Sequence, residues 1–234
     1  MTSPRFDVKV IGVGGTGGAL VPFLARFLDA HEPSARLTLI DGDEFEARNR
    51  ERQAVPAYGN KATVVAAELA RACDRLSVRA VPEYVGEGNV ATLVEDGDYV
   101  LLAVDNHPTR RVVSDHCGRL RDVIVISGGN DLHDGNVQVF IRQGGEGRCA
   151  PLTRYHPEIA RALGPLPGDD GCDVQAAASP QLLVTNLAVA SAMLNAFYAC
   201  LRGMLAYEEV YFDILAGRMN PVVRGGTRQW PRRE

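Results

Sequence analysis

The sequence predicts an α/β fold, a mostly parallel sheet covered by helices on both faces and followed by an elaborated C-terminal half. Two observations carry this reading. Strand-length apolar runs alternate with helix-period stretches through the first half of the 234 residues, and that rhythm breaks after Gly128. Strands that alternate with helices build parallel sheets, whose ligands sit at the carboxyl ends of the strands. With 46% hydrophobic and 23% charged residues the composition is that of a soluble globular protein with a real core, and residues 1–234 are read as one domain.

Taken in order, VKVIGVG is the first strand, the apolar-periodic stretch from Ala19 to Leu28 the first helix, and LTLID, ending at Asp41, the second strand. Lys61 to Cys73, dominated by Ala, Val, Glu and Leu, predicts the next helix. LSVRAVP and the strongly apolar YVLLAVD, which ends at Asp105, are strands; a helix near Thr109 to Leu120 and the strand VIVIS follow. NVQVFIR completes a core over 7–142. Residues 143–180 read as a crossover loop rich in Gly, Pro and Asp, and a structureless loop of that length is uncommon unless it is functional. The remainder, 181–223, holds a long helix, the strand-like VYFDIL, a turn and NPVV.

That helix, Leu182 to Leu201, carries no formal charge over about the length of a bilayer span. Thr185, Asn186, Ser191 and Asn195 interrupt it, and it lies within a soluble fold, so it is read as a buried helix and a candidate dimer interface rather than a membrane segment. A net charge of −4 offers no global basic field for nucleic acid, and the basic tail RGGTRQWPRRE is short enough to be a solvated terminus. Five cysteines, odd in number and without a CxxC pair, argue against a disulfide framework and a four-cysteine zinc site. No signal-peptide pattern opens the sequence, so the expected location is the cytoplasm.

Chemistry concentrates in three places. IGVGGTGGALV sets Gly12, Gly14 and Gly17 at G-x-G-x-x-G spacing between a strand and a helix, the Rossmann-like context in which glycine lets the backbone approach a phosphate and the helix N-terminus favours the anion. Asp41 ends the second strand at the distance from which an acid reaches a ribose hydroxyl, which suits either a nicotinamide dinucleotide or ATP. DGDEFEARNRERQ then places Arg52 beyond that acid, with Lys61 to follow, and these cations suit a triphosphate better than a dinucleotide. Glu44, Glu46, Arg48, Arg50 and Glu51 are read as a solvated charged face. Taken alone, Asp105 is equally explained as a cap for the helix after it, and Lys61 as an ordinary first-turn residue.

The ordered set of a glycine loop (Gly12, Gly14, Gly17), D-x-D (Asp41, Asp43), N-x-x-R-Q (Asn49, Arg52, Gln53), a lysine (Lys61) and a D-N pair (Asp105, Asn106) resembles the ThiF/MoeB/HesA family, bacterial relatives of ubiquitin-activating enzymes. The likeness covers about Val8 to Arg142 well. It implies ATP-dependent adenylation of the C-terminal carboxylate of a ubiquitin-like or sulfur-carrier protein with a glycine-ending tail, by a homodimer. In that reading Asp41 holds the ribose, Asn49, Arg52 and Lys61 contact the phosphates, Asp105 holds Mg2+, and Asp43, Gln53 and Asn106 complete the nucleotide site. Asn106 and Arg110 are alternatively supports of the loop.

The chain departs from the family pattern in three ways. It lacks the paired CxxC motifs of many members, so no zinc is expected; Arg5 is a poor substitute for the arginine of an N-terminal helix; and Cys172 lies in the acidic loop DDGCDVQ. A family member's crossover-loop cysteine can accept the activated acyl group, which makes Cys172 a nucleophile candidate, although Asp169, Asp170 and Asp173 disfavour its thiolate. Cys149 is the weaker candidate, while Cys73, Cys117 and Cys200 fall on helix patterns where buried cysteine is common. The zinc-less core, the acidic loop and FDILAGRMNP look most similar to ThiF-like proteins of PRTRC systems, which also encode a conjugating-enzyme-like protein, a possible second partner. Two rival readings stand beside this one: an inactive nucleotide-binding scaffold, and an NAD-dependent Rossmann oxidoreductase.

Overall fold

The computed structural model describes residues 6–32, 34–46, 57–162, 164–168 and 182–224. Along the chain come β1 (Asp7–Ile11), α1 (Gly15–His31), β2 (Arg36–Ile40), β3 (Glu44–Phe45), β4 (Gly59–Asn60), α2 (Lys61–Ala72), β5 (Ser77–Val81), α3 (Val90–Leu93) and β6 (Tyr99–Leu102). They are followed by α4 (His107–Cys117), β7 (Val123–Asn130), β8 (Asp134–Gln143), β9 (Glu146–Gly147), α5 (Leu152–Tyr155), α6 (Pro157–Ala160), α7 (Leu183–Leu201), β10 (Glu209–Asp213) and β11 (Arg218–Val222).

The main sheet runs β11-β10-β8-β7-β6-β1-β2-β5, with β9 paired to β8, while β3 and β4 form a separate two-stranded ribbon. Its five strands β5, β2, β1, β6 and β7 are parallel. β8, β10 and β11 extend it antiparallel from β7. This is the expected mixed α/β architecture, with the chain order reversing beside β1, where such sheets open a ligand crevice.

Two apolar cores cover the two faces. On one, Leu20, Leu24 and Leu28 of α1, Val65 and Leu69 of α2, and Val189, Met193 and Phe197 of α7 pack on alternate sheet residues such as Val8, Val10, Leu37 and Leu101. On the other, Val112, Val113 and Cys117 of α4, Leu152 of α5 and Ile159 of α6 pack on Ile11, Ile40, Leu102 and Val125. Because both faces are covered, β6 is buried along its whole length, which is why YVLLAVD reads as uniformly apolar.

α7 is long and apolar enough to cross a membrane. Its Val189, Met193, Ala196 and Phe197 are buried in the core shared with α1 and the sheet, and Phe197 meets Phe27 edge-on at 6.1 Å and Tyr99 at 5.5 Å. Gly128 allows this approach, since a Cβ there would lie 2.4 Å from Met193 Sδ. Leu183, Val184, Leu187 and Tyr198 of the same helix are exposed, as is Phe23 of α1.

Three features differ from the sequence expectation. The stretch 143–180 is not free of secondary structure: β9, α5 and α6 occupy its first part, pieces too short to show a period. The helices predicted from Ala19 and Thr109 start earlier, at Gly15 and His107, because glycine and proline in a first turn hide the pattern. α3 and the β3–β4 ribbon were not foreseen.

Candidate active site

The glycine loop is built by crowding. Gly12 has φ +90°, and a Cβ there would lie 2.9 Å from the Ala103 carbonyl carbon; a Cβ on Gly17 would lie 1.9 Å from Gly12 O. Only glycine lets the turn bring α1 down against β1 and β6. Gly14 is the N-cap residue of α1, so the first-turn N–H groups, which have no carbonyl within the helix, open at the carboxyl end of β1.

Asp41 ties the end of β2 to this loop. Its Oδ2 accepts the Val13 N–H at 2.6 Å and its Oδ1 accepts the Asp43 N–H at 2.8 Å. Burial pushes its carboxyl above the usual range, against the pull of those two N–H groups and of Lys61. The oxygens keep lone pairs for a hydroxyl donor.

Lys61 is not an ordinary exposed first-turn residue. It is 6% exposed, its Nζ lies 2.8 Å from Asp43 Oδ2, and its backbone N–H donates to Asp43 O at 2.8 Å. Asn60 organises this corner: its Oδ1 caps α2 by accepting from Thr63 N at 3.0 Å, and its Nδ2 donates to the carbonyls of Asp41 at 2.8 Å and Asp43 at 3.1 Å. Sequence reasoning missed Asn60, although an Asn directly before a helical pattern is a cap signal.

Asp105 is exposed just beyond β6; among the described residues its carboxylate acts on the buried Arg110 guanidinium through charge alone. The cap of α4 comes instead from Asn106, whose Oδ1 accepts from Thr109 N at 2.9 Å. The alternative that Asp105 is a helix cap is therefore wrong, and the expected nucleotide contact of Asn106 competes with a structural task. Arg110 is a support: buried, it donates to Ser127 Oγ and to the carbonyls of Val104 and Gly128, clamping the ends of β6 and β7, and burial lowers its guanidinium to about 10.

Tyr84 closes one side. Its hydroxyl donates to Asp43 Oδ1 at 2.5 Å, and its ring lies where a Cβ on Gly42 would be 2.6 Å away and one on Gly168 2.7 Å away. Beyond it Glu83, Asn89 and Leu166 line an open depression of about 670 Å³. Neither Tyr84 nor Gly42 had any signal in the sequence.

The structure thus gathers Gly12, Gly14, Gly17, Asp41, Asp43, Lys61, Asp105 and Asn106 at the carboxyl edge of β1, β2 and β6. Asn49, Arg52, Gln53 and Cys172 lie outside the described residues. The weaker cysteine candidate is disfavoured: burial and Glu208 push the Cys149 thiol up to about 12, which lowers its thiolate fraction at neutral pH. Cys117 is likewise raised to about 12 by burial, Cys73 and Cys200 are also raised by burial, and all four described cysteines are free thiols. Among the described residues no three His, Cys, Asp or Glu side chains group as a metal site.

The chain is similar to several known proteins in sequence and to others in fold. The SAMP-activating enzyme E1 of Haloferax volcanii is 31% identical over 187 residues, covering 76% of this chain and 67% of that protein. Mouse (Mus musculus) adenylyltransferase and sulfurtransferase MOCS3 is 32% identical over 176 residues, but the chain spans only 37% of its length. Among solved structures, E. coli MccB determined with ATP superposes with a TM-score of 0.70 at 15% identity, over 94% of this chain and 64% of that one. PaaA gives 0.66 at 18% identity, over 92% and 63%. The pattern of the ThiF family matches residues 4–220, and the chain belongs to that family.

Proposed function

We propose that this protein is an ATP- and Mg2+-dependent adenylyltransferase that activates the C-terminal carboxylate of a ubiquitin-like or sulfur-carrier protein as an acyl-adenylate. The observation that carries the reading is the Asp41 corner: a buried carboxylate joined to the glycine loop, with Lys61 alongside and Asp105 on the same sheet edge. The relatives support it, since the archaeal one activates SAMP proteins and MOCS3 is an adenylyltransferase by name.

In the reaction a carboxylate oxygen of the carrier's tail attacks the α-phosphorus of ATP; the new C–O–P bond forms as the bond to pyrophosphate breaks. Two anions must meet, so catalysis rests on charge neutralisation and alignment rather than on an acid–base pair. Asp41 orients the ribose, the α1 N-terminus and Lys61 face the phosphates, and Arg52, with Asn49 and Gln53, serves the leaving pyrophosphate. The residues present fit the metal: the exposed carboxylate of Asp105 suits Mg2+, which prefers one or two carboxylates plus phosphate oxygens. When bound, Mg2+ supplies neutralisation of the phosphate charge.

With the Cys149 thiol raised by burial, Cys172 is the acceptor proposed for any thioester step. The exposed apolar residues Leu183, Val184, Leu187 and Tyr198 of α7 are the surface proposed for a homodimer, and a conjugating-enzyme-like protein is the proposed second partner. The proposed setting is the cytoplasm.

ATP–pyrophosphate exchange with candidate carriers ending in Gly-Gly tests the reading. Carrier-dependent exchange supports it. A folded protein that binds no ATP, or binds a nicotinamide dinucleotide in its place, refutes it. Mass spectrometry for an adduct on Cys172, and light scattering on the purified protein, test the thioester and the dimer.

A further inference from the structure

A group of polar side chains behind the glycine loop has no place in that mechanism. Thr16 of α1, Asn130 at the end of β7 and Asn186 of α7 come from segments 114 and 170 residues apart and meet in the interior. Asn186 is 0% exposed. Its Oδ1 accepts from Thr16 Oγ1 at 3.1 Å and from Asn130 Nδ2 at 3.1 Å, which fixes its amide so that Nδ2 is the free end. Thr16 Oγ1 also lies 3.4 Å from Asn130 Oδ1, and Asn130 Nδ2 lies 3.4 Å from Asp131 O.

That Nδ2 is buried with no hydrogen-bond partner among the described residues. It lies 2.2 Å from where a Cβ on Gly15, the first residue of α1, would stand, so a glycine is required there for the amide to reach the loop. The contrast with its neighbour is informative. Thr185, the adjoining buried polar residue on α7, has its hydroxyl satisfied by Leu132 O at 2.7 Å. A helix contact that needed only packing would be served by the Ala, Val and Leu that fill the rest of α7, and a buried donor without an acceptor is costly.

We propose that Asn186, held by Thr16 and Asn130, supplies a neutral hydrogen-bond donor to an anionic oxygen bound at the N-terminus of α1. The proposal rests on the adenylation reading, which offers two such anions, a phosphate of ATP and the carboxylate of the carrier's tail. A neutral amide suits either: it stabilises the anion without forming an ion pair that would blunt a nucleophilic carboxylate.

The test uses the full chain and two probes, Mg·ATP by calorimetric titration and a peptide with a free Gly-Gly carboxyl terminus in ATP–pyrophosphate exchange. Asn186→Leu keeps the size and removes the donor; Asn186→Asp turns it towards the anion as a negative charge. If the partner is a phosphate, Asn186→Leu weakens ATP binding about tenfold; if it is the carboxylate, ATP binding holds and the peptide KM rises about tenfold. In either arm Asn186→Asp is the worse variant, and Asn130→Ala, which only loosens the amide, shifts the same quantity by less. A folded Asn186→Leu that matches wild type within twofold in both arms overturns the proposal. Should that variant not fold, unchanged values for Asn130→Ala and Thr16→Val overturn it instead. Wild type that binds ATP without exchange refutes adenylation and with it the carboxylate arm, and an Asn186→Leu affinity for ATP within twofold of wild type then overturns the proposal; wild type that binds no ATP overturns both.

Discussion

Asp41 and Val13 are joined by a 2.6 Å hydrogen bond from the Val13 amide to Asp41 Oδ2, which fixes the carboxyl end of β2 to the turn between β1 and α1. Asp41→Ala removes the proposed ribose acceptor and the loop's tether together. ATP affinity is expected to fall about 30-fold, the ~2 kcal/mol of a hydrogen bond to a charged group, with a lower Tm. Calorimetry and a thermal melt on one preparation check both; unchanged affinity would place the nucleotide elsewhere.

Asp105 behaves differently because it is exposed and caps no helix, that task falling to Asn106. Asp105→Ala should leave Tm within about 1 °C while adenylation falls by about 2–4 kcal/mol, the range for one preorganised electrostatic contact. Arg52→Ala should lose activity in the same range. Near-wild-type exchange rates for both would mean the site is misassigned.

Gly17→Ala places a Cβ 1.9 Å from a backbone oxygen that cannot move without shifting β1. We expect a loss of about 3 kcal/mol and a Tm lower by roughly 6–12 °C. Gly88→Ala, whose Cβ would meet nothing within 4 Å, is the matched control and should change Tm by less than about 2 °C.

The late strands carry a pH signature. His156 Nε2 lies 2.8 Å from Glu209 Oε1, and Glu209 also pairs with Arg224 and accepts from Asn136 Nδ2 at 2.6 Å. Hydrogen bonding to Glu209 raises His156 above its usual value, against burial and with help from Glu158. For Glu209 burial works upward, but the hydrogen bonds from His156, Asn136 and Arg224 outweigh it and hold the carboxyl at about 2. The raised His156 contributes stability that is full below about 6.5 and fades as pH rises through its folded pKa. The lowered Glu209 contributes stability that is full above the ordinary 4.5 and is lost as pH falls towards about 2. The Tm difference between wild type and His156→Gln should therefore be widest between about pH 4.5 and 6.5 and narrow on either side. A difference independent of pH would show that the imidazole acts only by packing.

The parallel half of the fold was legible because burial on both faces writes strands as apolar runs, and because Gly12 and Gly17 can be replaced by nothing larger. Asp41, Lys61 and Asp105 were legible through their order along the chain. Four-residue helices such as α5 and α6 leave no period to read, and the burial that silences Cys149 is a property of packing, not of RCAPL. The role of Asn60 was signalled by position and overlooked. Asn186 was visible only as an interruption of an apolar helix; its meeting with Thr16 and Asn130 exists only after folding.

The close contact of Gly17 with Gly12 also bears on how such a protein can diversify. The turn proposed to receive the nucleotide is the same turn that seats α1 on the sheet, so selection for folding would guard it even in a descendant that bound no ATP. Asp105 enjoys no such protection. In a lineage drifting towards a non-enzymatic role, the exposed aspartate would be lost early and the glycines would persist, leaving a nucleotide-shaped cradle as a fossil of chemistry no longer performed.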